Sequence, residues 1–135
     1  MPISHRDLLN QAKGLAVPEE AVFRALVGRA YYACYHCCRE WERTLPEPGK
    51  TRSSTKGVHQ QLIERLQRPD KRCSKDQVKR SEWLARQLGT LRALRLRADY
   101  RLDERISDEE ANAQVSLADA VFKRCDWGVK TGRQD

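Results

Sequence analysis

The sequence predicts an all-α fold, an up-and-down bundle of about four to five helices in a single domain. Three observations lead there. Apolar residues recur at steps of three and four along most of the chain, and no run alternates with the period of two that a half-buried strand needs. Proline, glycine and polar clusters divide that pattern into stretches of helical length joined by loops. The 135 residues suit one domain that buries a core without disulfides or metals, and neither an internal repeat nor a second domain is visible. The domain is expected over 1–127, followed by a flexible C-terminal tail at 128–135.

Taken in order, Ser4 with Asp7 is an acidic variant of the N-terminal capping pattern, and Leu8, Leu9, Ala12 and Leu15 supply a short apolar stripe. A first helix is therefore expected from about Ser4 to Leu15. Pro18 fits the first turn of a second helix, where Glu19 and Glu20 suit the positive end of the helix dipole. That helix should run to about Leu45, stopped by Pro46, Pro48 and Gly49. Its interior, Ala21 to Trp41, is apolar on more than one side, which marks the central helix of the bundle. The stretch from Lys50 to Lys56 is polar and basic, with little to bury, and reads as a loop.

A third, shorter helix is expected from about Gly57 to Leu66, with Val58, Leu62 and Leu66 on one face. The pattern then breaks from Arg68 to Lys75. A long helix from about Asp76 to Leu102 places Leu84, Leu88, Leu91, Leu94 and Ala98 along one side, to be packed on the central helix. Ser107 and Glu110 form a capping box opening a last helix, whose buried stripe is Ala111, Val115, Ala118, Val121 and Phe122 and whose end lies near Trp127.

The net charge of +7 and pI near 9.4 favour a polyanionic partner, RNA first among them, although an acidic protein would answer to the same field. Lys50, Arg52, Lys56, Lys71, Arg72, Lys75, Lys79 and Arg80 concentrate on two loops and a helix start, and would form the RNA-binding footprint through phosphate contacts that read no sequence. A second group, from Arg92 to Arg105, crowds the fourth helix. No signal peptide and no membrane-spanning run is visible, so a cytoplasmic location is expected. The five cysteines do not look like a disulfide framework. Cys34, Cys37 and Cys38 spread over two helix faces and read as core thiols rather than metal ligands, so no metal and no cofactor is expected.

Arg29 and His36 are the candidate catalytic residues. Seven residues apart on a helix, they project from one face about 10.5 Å apart along the axis, so two copies related by a two-fold axis would serve one phosphate better than a single copy. The surrounding segment, Gly28 to His36, together with Leu94 to Tyr100 and with Lys56 to His59, resembles the HEPN domains. The likeness covers roughly Pro18 to Phe122. It implies a bundle that is usually a homodimer, often found in toxin–antitoxin or defence settings beside a small nucleotidyltransferase. It also implies, for active members, a metal-independent RNase that uses an Arg followed a few residues later by a His. Tyr32, Asp99 and Tyr100 are the supporting residues carried by the same segments. Arg52 and His59 have the same spacing across a loop, and that pair reads as coincidence.

With an ordinary pKa near 6.5, an imidazole exchanges protons at neutral pH, and a guanidinium holds phosphate and stabilises charge developing on it. The chemistry expected is RNA cleavage by its own 2′-hydroxyl. Two other readings stand beside it. Arg29 and Asp99 would form a structural ion pair with His36 as a core histidine, or the chain would be a non-catalytic binding or antitoxin-type module pairing with a nucleotidyltransferase or another partner protein.

Overall fold

The structure, a computed structural model, describes residues 20–52 and 57–133, the last eight of these by backbone alone. Among the described residues all regular structure is helical, with α1 over Glu20–Glu42, α2 over Val58–Gln67, α3 over Lys75–Tyr100 and α4 over Asp108–Arg133. The helix expected at Ser4 to Leu15 lies outside the described residues. No helix among them is long and apolar enough to cross a membrane.

α1 is the central helix: it packs on α3 and α4 and also touches α2. Its buried residues run from Leu26 to Trp41 and include Ala30, Tyr31, Cys34 and Cys38, so apolar surface meets neighbours on more than one side. Two core clusters result. The larger joins Tyr31, Trp41, Leu62, Leu66, Leu84, Leu88, Leu91, Val121 and Phe122, whereas the smaller collects Leu26, Val27, Ala98, Ile106 and Ala111 at one end. Gln114 is buried between them, and its amide donates to the Val27 and Leu91 carbonyls at 3.3 and 2.9 Å, which fixes α4 against the backbones of α1 and α3.

The helix ends follow local chemistry. Ser107 and Glu110 make their capping box, with Glu110 N donating to Ser107 Oγ at 3.1 Å and Ser107 N to Glu110 Oε1 at 3.2 Å. A second box, Ser74 with Gln77, starts α3 one residue before the expected Asp76. At the other end of α3, Arg24 donates to the Ala98 carbonyl at 2.8 Å, to the Arg97 carbonyl and to the Glu104 carbonyl of the loop that follows, placing positive charge at the negative end of the helix dipole. α1 stops at Glu42, sooner than the expected Leu45, in turns closed by Thr44 N to the Trp41 carbonyl at 2.9 Å. α4 runs past Trp127 to Arg133, because Gly128 with no proline behind it lowers helix propensity by only about 1 kcal/mol.

Gly49 sits where the loop after α1 crosses the end of α2, with Lys50 N donating to the Arg68 carbonyl at 3.4 Å. A Cβ at Gly49 would overlap the Arg65 and Arg68 carbonyls, which are backbone and cannot swing aside. Gly49→Ala is expected to destabilise the fold by about 1–3 kcal/mol, as overpacking does in well-filled sites, read as a lower urea midpoint at unchanged slope.

Candidate functional site

Three helices build the site. On α1, Tyr31 and Tyr35 are buried, Tyr32 is 40% exposed and His36 is half-buried between them and solvent. The first turn of α2 brings His59 against this row, its ring centroid 4.4 Å from Tyr35, 5.5 Å from Tyr31 and 5.7 Å from Tyr32. His36 lies 5.3 Å from Tyr35 and 6.2 Å from Tyr32. The two imidazoles therefore share one aromatic wall.

α3 adds the charge. The Arg95 guanidinium stands over Tyr31 and Tyr32, 5.7 and 5.5 Å from their centroids, close enough for cation–π attraction. Arg92 reaches the start of α2, with Nη1 donating to Gln60 Oε1 at 3.1 Å. Residues 92 and 95 are three apart on a helix and so lie on one face. Arg95 Nε is 2.8 Å from Asp99 Oδ2, although its N–H is not aligned for a hydrogen bond.

Burial and charge set the protonation states. The Tyr31 hydroxyl is 2.8 Å from His59 Nδ1, and desolvation pushes the Tyr31 pKa well above its ordinary value, so the phenol stays neutral. His59 is held below its usual pKa, first by desolvation and then by Arg95, Arg92 and His36, so near neutral pH the neutral ring dominates. The sign for stability follows. The unfolded chain takes up the His59 proton at a higher pH than the folded one, so lowering the pH through the ordinary histidine pKa of about 6.5 favours unfolding. Urea midpoints are expected to fall between about pH 7 and 5, and His59→Gln to flatten that slope.

The candidate residues from the sequence divide into three places. Arg29, exposed on α1, lines a cleft of about 400 Å³ with Ala25, Gly28, Tyr32, Arg95 and Asp99, whereas His36 is not among the residues lining it. The ion pair of Asp99 is to Arg95 on its own helix, in place of the Arg29 pairing considered from sequence. Tyr100 is 70% exposed at the last residue of α3.

The loop cations gather elsewhere. Lys50 and Lys71 share a second concavity of about 320 Å³ with Arg68, Pro69 and Asp70. Arg52 is exposed, but its backbone N–H donates to the buried Glu64 at 2.8 Å, and Arg72 faces Glu47 at 3.4 Å. Lys75 and Lys79 are exposed on the first turns of α3, and Arg80 is half-buried with its pKa lowered by desolvation and by Arg124. Lys56 lies outside the described residues. Since Lys75 and Arg95 are about 30 Å apart along α3, the cations at the start of α3 lie far from the aromatic site.

Sequence reasoning missed His59. The sequence offers it only a spacing from Arg52, whereas its structural partners are Tyr31 and Tyr35, supplied by another helix. The usable signal was the resemblance of the segment ending in His59, combined with the apolar stripe that turns α2 toward α1.

Cys34, Cys37, Cys38 and Cys125 are buried in the core, and desolvation raises the pKa of Cys34. Among the described residues no group of three or more His, Cys, Asp or Glu side chains is disposed to hold a metal ion. No family model, no curated protein and no solved structure matches this chain.

Proposed function

We propose that the chain is a HEPN-like, metal-independent endoribonuclease, in which His36 and His59 exchange protons and Arg92 and Arg95 hold the phosphate. The observation that carries this reading is the pair of imidazoles on one tyrosine wall, beside two guanidiniums of a neighbouring helix. With His59 Nδ1–H donating to the Tyr31 oxygen, Nε2 is left with its lone pair. It takes the proton of a ribose 2′-hydroxyl, whose oxygen attacks the adjacent phosphorus. His36 gives a proton to the departing 5′-oxygen, so a 2′,3′-cyclic phosphate and a 5′-hydroxyl form. Arg92 and Arg95 offset the charge that builds on the phosphoryl oxygens. Arg29, farther along α1, meets a flanking phosphate. A homodimer, a cytoplasmic setting, a toxin or defence role and a cognate nucleotidyltransferase or antitoxin belong to the same proposal and rest on the sequence resemblance.

The test is cleavage of a labelled single-stranded RNA in excess chelator. Cleavage that leaves cyclic phosphate ends and is lost in His36→Ala supports the reading, whereas full activity in that variant removes His36 from the mechanism. The second reading, a non-catalytic binding module, is favoured by one contact: Asp99 already neutralises Arg95 in part. It is the outcome if wild-type protein binds RNA in a salt-dependent way and cleaves none.

A further inference from the structure

The cleft between α1 and the last turn of α3 has features that a site for phosphate alone does not require. Arg24, Arg29 and Arg95 line it together with a carboxylate, Asp99, which pairs with Arg95 and whose side chain is 38% exposed. Ala25 and Gly28 leave its α1 side without bulk, and a Cβ at Gly28 would meet nothing within 4 Å. Tyr32 offers its exposed ring surface on the side leading to the two histidines. The volume of about 400 Å³ is within the ordinary range of small-molecule pockets.

We propose that this cleft is a nucleobase subsite that selects guanine. The inference rests on the RNA-cleaving reading for its biological substrate, but its chemistry is independent of cleavage. Each carboxylate oxygen carries two acceptor sites, so Asp99 Oδ2 can face Arg95 and still accept another donor beside Oδ1. Guanine places N1–H and an N2 amino group side by side on one edge, matching both oxygens at once. Adenine and cytosine set a ring acceptor next to their amino group, and uracil flanks its single N–H with two carbonyls. Each of these would turn at least one lone pair toward the carboxylate. Stacking on Tyr32 tolerates any base, and Arg29 donates to any flanking phosphate, so the choice of base falls to the two oxygens of Asp99.

The experiment is a calorimetric titration of the full chain with the four ribonucleoside 5′-monophosphates and with inorganic phosphate. The guanosine nucleotide is expected to bind about tenfold tighter than the others, within the range of one good bidentate contact. Asp99→Asn should remove that advantage without weakening the binding of inorganic phosphate, since it takes away the negative charge beside Arg95. Tyr32→Ala should weaken all four nucleotides alike, a control that leaves the carboxylate in place. Equal binding of the four by wild-type protein, or a guanine preference that survives Asp99→Asn, overturns the proposal. Failure of the nuclease reading looks different: guanosine nucleotide binds selectively and no RNA is cut. If RNA is cut while the four nucleotides bind equally, the nuclease reading stands and the subsite falls.

Discussion

On the proposed nuclease reading, replacing His59 with glutamine is expected to lower RNA cleavage by roughly 100- to 10,000-fold, the usual contribution of a positioned general base. Glutamine is the informative substitute because its amide can still meet the Tyr31 hydroxyl, now 2.8 Å from Nδ1. Alanine would strand that buried hydroxyl at about 1–3 kcal/mol and mix a stability loss with a chemical one. The measurement is single-turnover cleavage across pH 5 to 8, with urea unfolding on the same samples. The acidic limb of the wild-type profile should lie below the free-histidine value, since desolvation and the nearby Arg95 and Arg92 disfavour the His59 proton. That limb should vanish with His59→Gln. Cleavage within a factor of two of wild type would remove His59 from the chemistry; as an order-of-magnitude standard, that is far below the effect of losing a general base.

Most of the helical scaffold was legible because burial on a helix leaves a periodic trace. Leu84, Leu88 and Leu91 announce the buried face of α3, and Ser107 with Glu110 announces the start of α4. Ser74 with Gln77 was equally legible, but lies inside a stretch dominated by loop-forming residues. The site was less visible because it joins side chains from three helices, and sequence spacing reports only partners on one. Arg29 and His36 share a face of α1, yet their neighbours differ: Arg29 lines the cleft with Asp99, whereas His36 lies with Tyr35. Spacing does allow the Arg95–Asp99 pair, four residues apart on one helix, but does not rank it above an Arg29 partner, since Asp99 also reaches the cleft beside α1. Charge totals gave the sign of the surface, but could not divide the loop cations from the arginines of α3.

Trp41→Ala is expected to destabilise the bundle by about 3–5 kcal/mol, against a total stability of about 5–15 kcal/mol for an ordinary domain. The indole is 2% exposed and belongs to the larger core cluster with Leu62, Leu66, Leu84 and Phe122, contributed by the three other helices. Its removal leaves a void among elements already fixed to one another, so relaxation can recover only part of the loss. The consequence reaches the site through α2. That helix carries His59, and besides packing chiefly on α3 it is tied to the end of α1 by Arg65, whose Nε and Nη2 donate to the two oxygens of Glu42 at 2.8 and 3.1 Å. Glu42 follows Trp41, so a collapsing core at Trp41 shifts the anchor that sets α2 against the tyrosine row. Urea unfolding should show a lower midpoint with unchanged slope, and cleavage by the protein that remains folded should fall as well. Trp41→Phe, which retains a large part of the ring surface, should recover stability and cleavage together. If it restores the midpoint but not the cleavage rate, the core at Trp41 does not govern the placement of His59.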